Sequence, residues 1–573
     1  MTTAPNQTNL DLPPVDGTTT VTKKHWIDRL HNAGWTVFRH AQKHTGVGIV
    51  CSVAYFDPGN WGVDLQAGSQ YGYSLLFVVL LSGLFAAFLQ VLACRLGVVT
   101  GLDLASHCRM LFYDRPRHKK LWRWGVLYPL YVLSELAIVS TDLAELLGSA
   151  IALSLLFPAL PLWAGVLVTG ADVLLVLGLG NPLHARPAKV FEWIIAVLVF
   201  AVLICMAVII GKINVAWGQA FDGFVPSQTI FASGALYTSV GILGATVMPH
   251  SLFLGSHLAT QDRLCKNPLV PDSPLSDKVR EIERIEVAPR RERLQYLGQA
   301  IWRQLRSWFV VSHAELEALN ARPKSHKHRE NNPLEFVRSH LYHAMVDVVS
   351  SLLGFAVIIN ALILILASAV FYYGSGARGS ESPASLFDAH TLINNTIGQA
   401  AALLFALALL ASGQSASLVA TVAGQSISEG FLNWKVSPVV RRLLTRMLGL
   451  IPSMIVAIVV GPNGVDSLLV ISQVILSIIL PFIIFPLIYL TSSSRIMRVH
   501  KTAPEHTDIS PPAEASFLPA LTSLDGDPEI IQTEDFVDFS SGKFMASVGW
   551  LIWLVIVVAN VYVLVTLGMG QGS

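Results

Sequence analysis

The sequence predicts an all-α protein that crosses a membrane many times. Three observations carry that prediction. Of 573 residues, 53% are hydrophobic and only 13% charged, with a mean hydropathy of +0.55. A water-soluble domain carries roughly a quarter charged residues, so this much apolar surface needs lipid. Apolar windows of about 20 residues, the length that spans a hydrocarbon core, recur along the chain, whereas the brief alternating runs of a closed β-barrel do not dominate.

In order, the expected spans lie near 47–67, 72–94, 124–154, 160–180, 190–211, 231–258, 341–372, 392–419, 446–462, 466–490 and 545–567. The third is long enough to tilt or to continue past the hydrocarbon. A tight turn at Gly461-Pro462-Asn463-Gly464 separates the ninth from the tenth. These spans divide the chain into a cytoplasmic N-terminal segment (1–46), spans one to six (47–258), a cytoplasmic insertion (259–340), spans seven to ten (341–491), a second cytoplasmic loop (492–544), and the eleventh span with a short external tail (545–573). Stretch 278–318 of the insertion is compatible with an amphipathic surface helix.

Loop charge sets the direction. Lys23, Lys24, Arg29 and Lys43 precede the first span, and Arg109, Arg115, Arg117, Lys119 and Lys120 lie between the second and third. Arg186, Lys189, Arg441 and Arg442 fall on that same side, while the opposite loops hold little beyond Lys212 and Arg378. The N-terminus is expected in the cytoplasm and the C-terminus on the other side. An integral protein of the plasma membrane, or of a vacuolar or endosomal membrane, is expected. The five cysteines are scattered without metal-ligand spacing. The polar first 46 residues predict no cleaved secretory signal.

Two spans are broken near their middles, at Ala54-Tyr55-Phe56-Asp57-Pro58-Gly59-Asn60 and at Ala245-Thr246-Val247-Met248-Pro249-His250. Proline removes a backbone donor and glycine tolerates non-helical angles, so each break frees carbonyls. A carboxylate buried there is costly without a purpose. Asp57 supplies charge, Asn60 a neutral oxygen, Met248 a polarizable thioether, and Ala54 and Ala245 the freed carbonyls. Oxygen alone suits magnesium, calcium or manganese; the thioether shifts preference toward manganese, iron or cobalt. His250 is a proton-linked or gating candidate. Glu135, Asp142 and Glu145 in the third span mark an ion or proton route, or else a salt-bridge set with Arg442 or Arg446. Asp172 and Asp347 read as structural or gating groups. Gln473 is a further metal contact when the site closes, whereas packing accounts for Gln414 and Gln425.

The stretches Asp57-Pro58-Gly59-Asn60 through Asp64-Leu65-Gln66-Ala67-Gly68, Thr141-Asp142-Leu143-Ala144-Glu145, Pro161-Leu162-Trp163-Ala164-Gly165, Met248-Pro249-His250, Gly413-Gln414 to Gly424-Gln425 and Ser472-Gln473-Val474 closely resemble the natural resistance-associated macrophage protein (Nramp) family of divalent metal-ion transporters. The resemblance runs from about residue 46 to 492. It implies a LeuT-like fold, two inverted five-helix repeats plus an eleventh helix. It also implies a metal site of Asp57, Asn60, Met248, the Ala54 and Ala245 carbonyls and, when occluded, Gln473. A proton route through His250, Asp142 and Glu145, with Glu135, ending at Arg442 and Arg446, is implied as well. Many members carry a second histidine where this chain has Gly255, with His257 two residues on. The Met-Pro-His-Ser-Leu-Phe-Leu-Gly-Ser form and the long insertion look fungal.

The expected function is proton-coupled import of manganese(II), iron(II) and similar ions. No resident cofactor, nucleic acid or obligatory protein partner is expected beside the cations, protons and bilayer. A metal-sensing receptor, or an organic-substrate carrier on the same fold, is the alternative. An enzyme is not expected, since no zinc-hydrolase, phosphate-loop or nucleophile motif has a usable context.

Overall fold

The computed structural model describes residues 46–171, 189–232, 234–264, 326, 329–374, 384–433, 437–501 and 536–569. Asp172 and the stretch 278–318 lie outside the described residues. Helices of seven residues or more are α1 (Val47–Val53), α2 (Pro58–Tyr71), α3 (Leu76–Thr100), α4 (Leu104–Phe112), α5 (Tyr128–Leu156), α6 (Leu162–Gly170), α7 (Lys189–Ile210), α8 (Ala235–Thr246), α9 (Pro249–Leu258), α10 (Leu334–Ser351), α11 (Ile358–Ala367), α12 (Leu386–Thr396), α13 (Gln399–Leu432), α14 (Pro438–Val459), α15 (Pro462–Ser492) and α16 (Lys543–Gly568). A ribbon of β1 (Arg498–His500) and β2 (Phe536–Asp538) pairs antiparallel, Val499 opposite Val537. Among the described residues, eight helical stretches are long and apolar enough to cross a membrane.

Burial separates centre from rim. All of the apolar stretch through α8 and α9 is buried, against 33% in α7 and 28% in α16. The broken helices therefore run through the protein interior, and α7 and α16 turn apolar side chains outward. The helix α2 packs on α8, α11 and α15; α5 packs on α13, α14 and α15.

The eighth expected span differs in placement. Gly398, at φ 114°, divides it into α12, opened by a Ser385–Asp388 capping box, and the 34-residue α13. The helix continues well past residue 419 although hydropathy falls, because Gln425, Ser426 and Ser428 face protein and are buried.

The end of the 259–340 segment is part of the packed structure. The carbonyls left over at the C-terminal end of α3 find donors there: Asn332 N reaches Val99 O (3.1 Å), Asn332 Nδ2 reaches Val98 O (2.8 Å), and Arg329 donates to Thr100 O. Asn331 Nδ2 donates to Ile496 O and Arg498 O, both at 2.7 Å, tying this segment to the ribbon.

Candidate cation site

Each break has a simple cause. The residue four beyond Ala54 is Pro58, and the residue four beyond Ala245 is Pro249. In both places the ring replaces the N–H that would close the helical bond to the alanine carbonyl. At the first break Asp57 is the N-cap of α2, its Oδ1 accepting from Asn60 N at 2.8 Å. At the second, Met248 is the extended residue before Pro249 opens α9. Two other carbonyls freed at the first break are satisfied by remote side chains: Asn360 Nδ2 donates to Tyr55 O (2.7 Å) and Ser412 Oγ to Phe56 O (2.6 Å).

The two breaks meet at Asn60. Its Nδ2 donates to Asp57 Oδ1 at 2.7 Å and to Ala245 O at 2.9 Å. Asn360 Nδ2 lies 3.3 Å from Asn60 Oδ1. Asp57, Asn60, Ala54, Ala245 and Met248 are all within 1% of complete burial. From α15, Gln473 reaches over Gly59, where an added Cβ would collide with Gln473 Nε2. The backbone of Gln473 is equally close to α8, its carbonyl standing where a Cβ on Gly244 would fall. Buried Asp57 Oδ2 and Gln473 Oε1 have no hydrogen-bond donor among the described residues. Of the six expected ligands, Asp57, Asn60 and the Ala245 carbonyl are thus in direct contact with Gln473 beside them, while Ala54 and Met248 are buried at the breaks themselves.

Among the described residues, no group of three or more His, Cys, Asp or Glu is placed to hold a metal. The candidate ligand set holds one carboxylate, Asp57, beside neutral oxygens and a thioether.

The other expected residues are on α5 (Glu135, Asp142, Glu145), α9 (His250), α10 (Asp347) and α14 (Arg442, Arg446). Thr141 Oγ1 donates to Ala137 O (2.9 Å), leaving its lone pairs to accept from His250 Nδ1 at 3.4 Å. Asp142 Oδ1 pairs with Arg446 Nη1 at 3.1 Å, and Arg446 also donates to Ser417. Gly449 makes room, since a Cβ there would stand 2.5 Å from Asp142 Cβ. Glu145 is completely buried, and both carboxylate oxygens of Glu135 are buried. The side chain of Arg442 lies outside what is described. Asp347 caps α1 from another helix, accepting from Gly48 N (2.8 Å) and Gly46 N (3.2 Å).

Gly255 and His257 face different neighbours. A Cβ on Gly255 would collide with Gln90 Nε2 and stand 3.1 Å from Cys51 Sγ. His257 instead lies 3.0 Å from Ser426 Oγ and 3.9 Å from Asp103 Oδ2. Gln90 Oε1 accepts from the Tyr55 hydroxyl (3.0 Å), which also meets Ser251 Oγ (2.6 Å). Sequence reasoning missed Asn360, Tyr55 and Gln90. A lone amide within an otherwise apolar helix marks Asn360 in Ile358–Ala367 and Gln90 in Leu76–Thr100 without distinguishing either from an amide that packs, and Tyr55 carries no such mark.

A membrane carrier with a cation site between two interrupted helices is the class of protein this geometry defines. The family model described as "Natural resistance-associated macrophage protein-like" matches residues 48–302 and 304–506. Similar curated proteins include the manganese transporter pdt1 of Schizosaccharomyces pombe, 38% identical over 92% of this chain and 86% of that one. The iron transporter SMF3 of Saccharomyces cerevisiae is 36% identical, over 92% and 96% respectively. Among solved structures, the Eremococcus coleocola manganese transporter in complex with an aromatic bis-isothiourea substituted compound aligns with a TM-score of 0.61 at 26% identity, covering 90% of this chain and 84% of that one. The chain belongs to the natural resistance-associated macrophage protein family, and its fold is the all-α, multi-spanning LeuT-type fold of that family's transporters.

Proposed function

We propose that this chain carries divalent transition-metal ions, manganese(II) and iron(II) among them, inward across a membrane together with protons. The observation that carries the reading is the convergence of Asp57 Oδ1 and Ala245 O, from two separate breaks, on one atom, Asn60 Nδ2. A cation that takes the place of that donor has two oxygens already positioned. Turning the Asn60 amide over presents Oδ1 as a third. Met248 and the Ala54 carbonyl extend the set, and Gln473, poised over Gly59, completes it on closure.

The ion arrives from outside, rocking of the broken helices closes the outer path, and release follows on the cytoplasmic side. A membrane potential of ~100 mV contributes about 4.6 kcal/mol to the inward movement of a divalent ion. His250, Asp142 and Glu145, with Glu135, carry the proton, and Arg446 holds Asp142 in place. The N-terminus is cytoplasmic and the C-terminus lies on the opposite side, in the plasma membrane or a vacuolar or endosomal one.

The test is uptake of manganese, iron, calcium and magnesium into proteoliposomes with internal pH recorded. Asp57→Asn removes the only full charge among the ligands while keeping the shape. Loss of a charged partner costs about 1.5–3 kcal/mol, so manganese uptake at limiting concentration should fall about 10- to 100-fold. Met248→Ala should erode discrimination against calcium and magnesium more than it slows manganese. Equal loss for all four ions removes the selectivity role, and metal binding without flux favours a sensor.

A further inference from the structure

The segment entering α5 carries a feature that cation transport does not use. Residues 109–124 hold six Lys or Arg (Arg109, Arg115, Arg117, Lys119, Lys120 and Arg123) against one acid, Asp114. Asp114 pairs with Arg123 at 3.0 Å and with Lys119 at 3.5 Å. Arg115 lies over the Trp122 ring, 4.6 Å from its centroid, and Arg123 over the Tyr113 ring at 3.6 Å. These contacts fix the aromatic rings among the cations. Arg117, Lys119 and Lys120 stay exposed.

Beside them, two large apolar side chains also face outward, Leu121 at 68% and Trp124 at 73% exposure. They are three residues apart, on one helical face. The helical stretch Lys119–Leu156 is 38 residues long, which at 1.5 Å per residue is roughly 57 Å. The hydrocarbon core is only about 30 Å thick, so the stretch extends beyond it, and its basic first turns fall at headgroup level. There exposed Leu and Trp side chains can enter the acyl boundary while Lys and Arg meet phosphates. A basic cluster directly abutting a spanning helix has the composition of an anionic-lipid site.

We propose that Asp114–Trp124 is a docking surface for anionic phospholipid headgroups. Its aromatic and aliphatic side chains anchor it in the bilayer interface, and Arg117, Lys119 and Lys120 supply the charge. A π-helical turn, Arg123–Leu127, joins this surface to α5, the helix that bears Asp142 and Glu145. Lipid bound here therefore contacts the same helical stretch that holds those acids. The surface stands whether or not the transported ion is manganese.

The experiment uses the full chain, purified from vesicles of phosphatidylcholine alone or mixed with phosphatidylserine, with retained lipid read by native mass spectrometry. Wild type should retain phosphatidylserine in preference to phosphatidylcholine. The triple substitution R117Q/K119Q/K120Q should weaken that retention about fivefold per charge removed. Raising the salt should reduce it in wild type through screening, a measurement that needs no variant. Equal retention of both lipids by wild type, or insensitivity of the preference to salt, overturns the proposal. So does an unchanged preference in a triple variant whose thermal stability matches wild type.

Discussion

Asn360 illustrates how a single amide sets the cost of keeping a helix open. Its Nδ2 donates to Tyr55 O, a carbonyl released at the first break, and approaches Asn60 Oδ1. Asn360→Ala leaves a buried acceptor without its donor, at a cost of about 1–3 kcal/mol. Thermal unfolding in detergent should shift down accordingly, and the maximal rate of manganese uptake should fall more than ionic selectivity changes. A variant with wild-type stability and rate would mean that water or a neighbour replaces the donor. The candidate ligands stood out in the sequence because an Asp, an Asn and a Met lie at or near proline in apolar segments. The donors that hold those ligands were not legible. Asn360 is 300 positions from Asn60 in the chain, and nothing local distinguishes it from an amide that simply packs.

Among the elements, the first break is clasped rather than merely buried. Pro58 sits between α5 and α13: an added Cβ on Gly148 would collide with Pro58 Cβ, and one on Gly413 would lie 3.2 Å from Pro58 Cγ. The proline ring has little freedom to yield, so Gly148→Ala should displace α2 or α5. Overpacking of this kind costs about 1–3 kcal/mol. Uptake should drop while calcium and magnesium stay excluded, since no ligand is removed. Full activity in proteoliposomes would show that the two helices can separate without consequence. Reading apolar windows of about 20 residues located these helices, because a spanning helix is apolar on its protein-facing and its lipid-facing sides alike. It failed on the length of α13, whose serines and glutamine are polar yet face other helices. It was also blind to α12, which is divided from α13 by one glycine with positive φ.

For the molecule as a whole, His326 and residues 329–332 act as a strap on the C-terminal end of α3. His107 Nε2 lies 2.9 Å from Thr100 Oγ1, and Thr100 Oγ1 itself donates to Leu96 O at 2.6 Å. The hydroxyl therefore accepts from His107, leaving Nδ1 to accept from His326 Nε2 at 3.0 Å. The rings are 14° from coplanar with centroids 5.2 Å apart, an edge-to-edge hydrogen bond rather than a face-to-face stack. Burial, then the neighbouring His326 and Arg329, hold His107 well below its usual range. Burial and Arg329 push His326 down to about 4. Both rings are neutral near pH 7. Between about pH 6.5 and 4 the undocked histidines bind more protons than the docked ones, so the docked strap loses stability as pH falls through that window. Hydrogen exchange at the Asn332 amide, which donates to Val99 O, corrected for intrinsic rates, should show protection declining from about pH 6.5 toward about pH 4.5. His326→Ala should flatten that dependence, and protection that stays constant across the range in wild type would contradict the arrangement.

The paired prolines have a further mechanical meaning. Ordinarily, bending a helix at its midpoint sacrifices a ladder hydrogen bond, which is expensive away from water. At Ala54 and Ala245 that bond was never formed, since Pro58 and Pro249 have no N–H to give. The halves α1 and α9 therefore meet the rest of their spans at joints that are already unbonded. What holds the two halves is packing, α1 on α10 and α9 on α3 and α13, together with side-chain tethers: Asp347 of α10 to the start of α1, and Ser251 to Tyr55. Any swing of the two halves therefore loosens contacts with neighbouring helices and needs no helix to unwind.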